Sequence, residues 1–200
     1  MIAPLSSIFG SKTKAQEVMF LLHDLKDVVR QGFYEQELPA VEMFCRNNKL
    51  FLVKSRFKVL LADQSADIHY SNKGLRIPEQ DTRPGMCFIY LSKDERKAWL
   101  ASYYEMMRND KDLGLLLGYP PCCVDFFCQN FNAQKTNLQA APANMWTNLT
   151  KRDQDAVLLS HFPCTSNCQE SISMAMRYLD LLATAEPQRA RELTTLLKVS

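Results

Sequence analysis

Between residues 15 and 31 the apolar side chains Val18, Leu21, Leu22, Leu25, Val28 and Val29 recur every three or four positions and stop at Gly32. That is the period of one helical face, and it predicts an amphipathic helix ended by the glycine. A second helix is predicted from about Leu38 to Asn47, with Val41, Phe44 and Cys45 facing inward. The period then changes. Residues 50–63 are rich in β-branched and aromatic side chains on either side of Lys54-Ser55-Arg56, a triplet that reads as a polar turn. Residues 68–77 read as a hairpin turning at Asn72-Lys73-Gly74, and 86–92 (MCFIYLS) as a short apolar strand. A small, largely antiparallel sheet is therefore expected from about 50 to 92.

From Lys93 the pattern is helical again. Ser92 and Glu95 have the spacing of a capping box for a helix reaching about Arg108. KDLGLLLGYP predicts a short helix stopped by Gly118 and Pro120, and Pro121 suits the first turn of the next helix, where its missing N–H costs nothing. That helix carries Val124, Phe126, Phe127 and Phe131. Residues 133–150 are polar and irregular, and another short helix is expected near 151–159. Asn167, with Glu170 three residues on, is placed as the cap of a long helix whose buried face is Ile172, Met174, Ala175, Tyr178, Leu179, Leu181 and Leu182. Pro187 opens a last helix over 187–197. The fold class is α+β: N-terminal helices and a small antiparallel sheet in 1–92, then a mainly helical half in 93–200, expected to form a single domain.

Composition narrows the function. With 24 basic and 22 acidic residues the net charge is +2, too near neutral for a dedicated nucleic-acid binder. No apolar run approaches the ~20 residues of a membrane helix. Lys12, Lys14 and Glu17 break the apolar start before an export-signal core develops, so a cytoplasmic location with reduced thiols is expected. Phosphate-loop, dinucleotide-binding, H-E-x-x-H and G-x-S-x-G motifs are all missing from the sequence.

The chemistry is in the cysteines. Four of the seven fall in two clusters, Cys122 and Cys123 in GYPPCC and Cys164 and Cys168 in HFPCTSNC, with His161 three residues before Cys164. Both clusters lie where a loop passes into a helix, and helix N-termini stabilise thiolates. Cys122, Cys123, His161, Cys164 and Cys168 are therefore the expected metal or cofactor ligands. Neighbouring side chains on a helix diverge by about 100°, so one of Cys122 and Cys123 is expected to bind while the other packs. CC and CxxxC differ from the two CxxC knuckles of standard zinc modules.

On residues alone, a metal or cluster site and a metal-free thiol site are evenly matched. A Cys–His nucleophile formed by Cys164 or Cys168 with His161 is chemically sound. Cys45, Cys87 and Cys128 read as small buried hydrophobes. Residues 133–150 connect the two clusters, and Asn144, Trp146 and Asn148 are expected to line one wall of the cysteine pocket.

GYPPCCVDFF and LLSHFPCTSNCQESISMAMRYL together resemble a poorly characterised prokaryotic cysteine-rich family whose members share GYPxCC and HxPCxxxC elements. The resemblance covers about residues 112–183 and rests on Gly118, Tyr119, Pro120, Cys122, Cys123, His161, Pro163, Cys164 and Cys168. It implies one shared site and supplies no reaction. The leading expectation is a cytosolic protein with a cysteine-ligated metal centre, iron–sulfur slightly ahead of zinc, suited to sulfur or redox chemistry. Its rivals are a metal-free enzyme with nucleophilic or redox-active cysteines, and a structural zinc protein that acts through a protein partner. A small-molecule substrate or a protein is the expected partner, with neither nucleic acid nor membrane.

Overall fold

The computed structural model describes residues 1–61 and 74–199. The chain divides into two compact units, one made of Glu17–Gly118 and the other of Met1–Gln16 with Tyr119–Ser200. The architecture is α+β, with helices and a small antiparallel sheet towards the N-terminus and a helical C-terminal half.

In Glu17–Gly118, strands β1 (Val28–Phe33), β2 (Phe51–Leu61), β3 (Gly74–Pro78) and β4 (Met86–Ser92) form one antiparallel sheet in the order β1-β4-β2-β3. Helix α3 (Leu38–Asn47) packs against β2, and α4 (Glu95–Met106) packs against β2 and β4 and is followed by α5 (Asp110–Leu116). The predicted second helix and the strand at 86–92 have the expected bounds. Three expectations are corrected.

Val28 and Val29 are not helical. Helix α2 (Lys12–Leu22) ends earlier, the chain turns through Asp24 at φ 60°, and Val28 and Val29 pair with Ser92 and Leu91. Two adjacent β-branched residues, both fully buried, suit a strand better than one side of a helix. Their spacing from Leu25 was coincidence.

Lys54-Ser55-Arg56 is no turn, because β2 runs through it and the pairing with β4 shifts register between Lys54 and Lys58. Buried Ser55 makes this possible: its hydroxyl donates to the Phe57 carbonyl at 2.7 Å and accepts the Phe88 N–H at 3.0 Å. The side chain thus supplies the bonds that the irregular ladder omits. Of the hairpin expected at 68–77, Asn72 and Lys73 lie outside the described residues, while Gly74–Pro78 is β3 and pairs with β2.

The cap of α4 is Asp94, not Ser92. Its carboxylate accepts the N–H groups of Arg96 and Lys97, while Ser92 donates to the Asp27 carbonyl. On the inner side of α4, Glu105 is buried and accepts from both Arg30 nitrogens, Nε and Nη2 (the latter at 2.6 Å), and from the Tyr90 hydroxyl at 3.0 Å. Arg76 Nη2 lies 3.7 Å from the same carboxylate. The two guanidinium groups lie over the Phe88 and Phe57 rings, each 3.7 Å from the centroid.

The other unit begins with α1 (Ile2–Phe9), which buries Ile2, Leu5 and Phe9 and ends on Gly10 in the left-handed conformation. This helix was not anticipated from the pattern. Helix α6 (Pro121–Asn130) leads into an irregular stretch, and α7 (Gln169–Ala185) packs against α8 (Pro187–Leu196). The short helix expected near 151–159 is a single 3-10 turn at Arg152–Gln154. The apolar run Ala156–Leu159 is buried at all four positions, so it has no solvent side to give an amphipathic helix. Asp155 has φ 56°, and its carboxylate accepts the N–H groups of Lys12 and Thr13 at the start of α2. Among the described residues no helix is long and apolar enough to cross a membrane.

Candidate metal centre

Chain direction at the first cluster is set by Pro120 and Pro121. Pro120 has φ −56° and ψ 134°, Pro121 takes the first helical position, and the Pro120 carbonyl accepts the Cys123 N–H at 2.9 Å. Cys122 and Cys123 therefore lie in the first turn of α6. In the second cluster the Cys168 N–H donates to the Thr165 carbonyl at 3.2 Å, closing the loop between Cys164 and Cys168. Cys168 is the N-terminal cap residue of α7, and its carbonyl accepts the first helical bond, from Ile172 at 2.9 Å. The cap residue is therefore Cys168 and not Asn167, whose side-chain oxygen accepts instead from Asn144 at 3.3 Å.

The fold brings these four sulfurs together. Cys122 and Cys123 Sγ are 3.9 Å apart, Cys122 and Cys168 3.7 Å, and Cys123 and Cys168 3.6 Å. With Cys164 added, all four Sγ atoms lie within 4.8 Å of one another. The separations are far beyond the ~2.05 Å of a disulfide, and none of the seven cysteines is in one. Both adjacent cysteines point to the same place, against the expectation that one would pack elsewhere. Their sulfurs stand 3.9 Å apart, and both lie within 4.8 Å of Cys164 and Cys168 Sγ.

His161 is outside this group. Its Nε2 lies 2.9 Å from the hydroxyl of Ser171, and that hydroxyl lies 3.2 Å from Cys123 Sγ. The Tyr119 ring packs on the imidazole with centroids 4.9 Å apart, and the Tyr119 hydroxyl meets Ser160 at 3.3 Å. When Cys123 is a thiolate, Ser171 donates to the sulfur and accepts the His161 Nε2–H. His161 thus supports the sulfur through Ser171, the kind of outer contact that orients a metal ligand. The Cys164 backbone N–H also donates to Cys123 Sγ, at 3.3 Å.

Burial grades the four thiols. Cys123 and Cys168 are buried, Cys164 is intermediate and Cys122 is exposed. Although Cys122 is exposed, partial desolvation of its sulfur, helped by the hydrogen bond to Cys168, raises that thiol to about 11, and burial raises Cys123 as well. Burial opposes ionisation of Cys168 too, but hydrogen bonding from Ser171, Cys123 and Cys122 outweighs it and brings that thiol down to about 7. Without a metal, Cys168 is thus the thiol whose ionisation Ser171, Cys123 and Cys122 favour, while Cys122 and Cys123 are themselves shifted the other way.

The remaining cysteines lie apart. Cys45 and Cys87 are buried, with burial pushing Cys45 up to about 12 and Cys87 in the same direction. Cys87 donates to the Phe33 carbonyl at 3.3 Å. Cys128, expected to be buried, is exposed on α6.

The irregular stretch braces the second cluster through Asn144 and Thr147, whose side chains donate to the Ser166 carbonyl at 2.7 and 2.6 Å. Asn148 does not line the site: it is buried and donates to the Leu197 carbonyl at 3.1 Å, at the end of α8. Sequence reasoning missed Thr147 and Ser171. Ser171 had a usable signal: it is a polar residue three positions after Cys168, at the head of the buried row Ala175, Tyr178 and Leu182. Thr147 had none, since its role depends on where the loop folds.

Four thiolates suit a soft or borderline metal. A tetrahedral ion with metal–sulfur bonds of about 2.3 Å has sulfur–sulfur edges of about 3.8 Å. The separations among Cys122, Cys123 and Cys168, 3.6 to 3.9 Å, fit that figure, and Cys164 Sγ lies within 4.8 Å of the three. Residues 97–198, which include every residue of the cluster, match the model of a family described as "Protein of unknown function (DUF483)". No curated protein and no solved structure matches the chain.

Proposed function

We propose, for a chain that belongs to the family of proteins of unknown function (DUF483), that Cys122, Cys123, Cys164 and Cys168 bind one tetrahedral zinc ion and fasten the start of α6 to the start of α7. The supporting observation is the trio of sulfur separations among Cys122, Cys123 and Cys168, each near a tetrahedral edge, with Cys164 Sγ within 4.8 Å of all three. A polynuclear iron–sulfur cluster places thiolates on different irons and calls for a wider frame, so the geometry moves zinc ahead of iron–sulfur. Four protein sulfurs also complete the coordination, leaving no open position for substrate, as in structural sites. On this reading the zinc organises the fold, and the protein acts through its surfaces in a reducing cytoplasm, where thiolates persist as ligands.

The metal-free thiol reading has one observation in its favour, a Cys168 thiol brought down to about 7 with Cys122 Sγ 3.7 Å away. Against it, the readily ionised thiol is buried and the exposed one is held protonated. No thiol of the pair is both accessible and ionised, as a nucleophile must be.

Metal and sulfide analysis of freshly purified protein tests the proposal. About one zinc per chain with no acid-labile sulfide is expected, and cobalt substitution should give the intense thiolate-to-metal absorption of a tetrahedral CoS₄ centre. Stoichiometric iron with sulfide would overturn it, as would metal-free protein in which Cys168 alkylates selectively.

Affinity should also depend on pH in a defined direction. Binding requires thiolates, while Cys122 and Cys123 are both held protonated at neutral pH. At least two protons leave on binding, so apparent affinity is expected to fall ~100-fold per pH unit as pH drops from about 8 to about 6. Competition with a chromogenic chelator, corrected for the chelator's own protonation, measures it. An affinity independent of pH would mean that these two thiols are not ligands.

A further inference from the structure

With zinc bound, the four cluster cysteines are thiolates, and they differ in access and in what donates to them. Cys123 and Cys168 are buried, Cys164 is intermediate and Cys122 is exposed. Donors follow the same division. Cys123 Sγ accepts the Cys164 N–H at 3.3 Å and lies 3.2 Å from the Ser171 hydroxyl, and Ser171 hydrogen-bonds Cys168 as well. Cys122 Sγ meets only other sulfurs among the described residues. A hydrogen bond to a thiolate draws charge from the sulfur and lowers its nucleophilicity. Cys122 is therefore the most accessible of the four sulfurs, and among the described residues no N–H or O–H quiets it. The metal-free protein lacks a thiol that is both accessible and ionised, but a zinc-bound Cys122 is both. Reaction at its sulfur needs no open position on the metal.

The neighbouring sulfurs determine what such a reaction leads to. Two-electron oxidation of one thiolate leaves an electrophilic sulfur, which a second thiolate converts to a disulfide. Cys123 Sγ is 3.9 Å from Cys122 Sγ. Consecutive Cα atoms, however, are about 3.8 Å apart, short of the roughly 4.4–6.8 Å across ordinary disulfides. Cys168 has no such limit, since its sulfur is 3.7 Å from that of Cys122 and the two residues belong to the starts of different helices.

We propose that zinc-bound Cys122 is an oxidant-reactive thiolate whose substrate is a hydroperoxide, and that Cys168 resolves the product to a Cys122–Cys168 disulfide with release of the zinc. This rests on the zinc reading above. With hydrogen peroxide, the Cys122 thiolate attacks one oxygen, the O–O bond breaks and hydroxide leaves, giving a sulfenic acid. The Cys168 thiolate then attacks that sulfur, the S–S bond forms and a second hydroxide leaves. Two thiolates are oxidised and one peroxide is reduced. The ion loses two of its four ligands, while the new bond joins the two helix starts that the zinc had fastened.

The test uses the wild-type chain, shown first by metal analysis to hold its zinc. It is treated with about one equivalent of hydrogen peroxide, blocked with an alkylating reagent and mapped by peptide mass spectrometry, while a chromogenic chelator follows the metal. A Cys122–Cys168 disulfide is expected, with about one zinc released per disulfide and zinc binding recovered on reduction. Cys128 is the internal control: it is also exposed but lies outside the cluster, so it is expected to oxidise about tenfold more slowly than Cys122. In zinc-loaded protein, three results overturn the inference and leave the metal assignment standing: Cys128 keeping pace with Cys122, Cys122 pairing with another cysteine, or zinc that stays bound. Protein purified without stoichiometric zinc overturns both.

Discussion

Cys123→Ser is expected to abolish stoichiometric zinc and to unfold the cysteine-bearing part of the chain. Cys123 is the most connected member of the cluster: it is buried, 3.6 Å from Cys168 and 3.9 Å from Cys122, and accepts the Cys164 N–H. Serine is close in size, so the packing change is small and the loss reports on ligation. Structural zinc sites contribute an apparent ~10–16 kcal/mol at neutral pH, comparable to the whole stability of a domain. Thermal unfolding followed by circular dichroism, with metal analysis of the same sample, reads both effects. Stripping wild-type protein with a strong chelator should reproduce the variant, and Cys128→Ser, outside the cluster, should behave as wild type. A Cys123→Ser protein that keeps its zinc and its melting temperature would refute the assignment.

Glu105→Gln is expected to be the most damaging near-isosteric change in the sheet-bearing unit, at about 3 kcal/mol. The carboxylate is buried and receives Arg30, Arg76 and the Tyr90 hydroxyl. The amide keeps the volume but leaves two guanidinium groups without their counter-charge. Each arginine side chain is 30% exposed, so solvent relieves part of the cost and the figure sits at the low end for a broken buried pair.

The pH dependence follows from the carboxylate. Burial raises its pKa, but the charge and hydrogen bonds of Arg30, the Tyr90 hydroxyl and Arg76 outweigh this, so Glu105 titrates below its ordinary 4.5. A carboxylate lowered in the folded state adds stability above its unfolded pKa and loses it as pH falls through the folded value. The gap between wild type and Glu105→Gln should therefore be full near neutral pH and shrink below about 4.5 in urea titrations. A gap that is small at neutral pH, or one that widens in acid, would show that the network does not stabilise the fold.

The elements legible in the sequence were those with strong local signals. Leu38–Asn47, Met86–Ser92 and Pro121–Asn130 carry clear periodicity or a proline at a helix start, and the structure has them where the pattern puts them. Where two local signals competed, the pattern misled. Val28 and Val29 kept a helical interval while having strand-forming side chains, and pairing with β4 decided the matter. Lys54-Ser55-Arg56 has turn composition, yet Ser55 is buried against Phe57 and Phe88, a use of a hydroxyl visible only once the strands are in register.

The sequence by itself determined where along the chain the clustered thiols lie. Thiols at two predicted helix starts are a local property, and both starts are where the prolines and the Cys168 cap residue put them. Tertiary structure decided everything that depends on distance. It brought Cys122 and Cys123 to one centre and placed His161 behind Ser171. It set sulfurs 41 to 46 positions apart in the chain within 4.8 Å of one another. The physical reason is that spacing along a chain constrains direction only within an element, where the helical repeat fixes it. Between elements, direction and separation come from packing: Asn144 and Thr147 gripping Ser166, and Ser171 lodged between Cys123 and His161, are contacts no local pattern encodes.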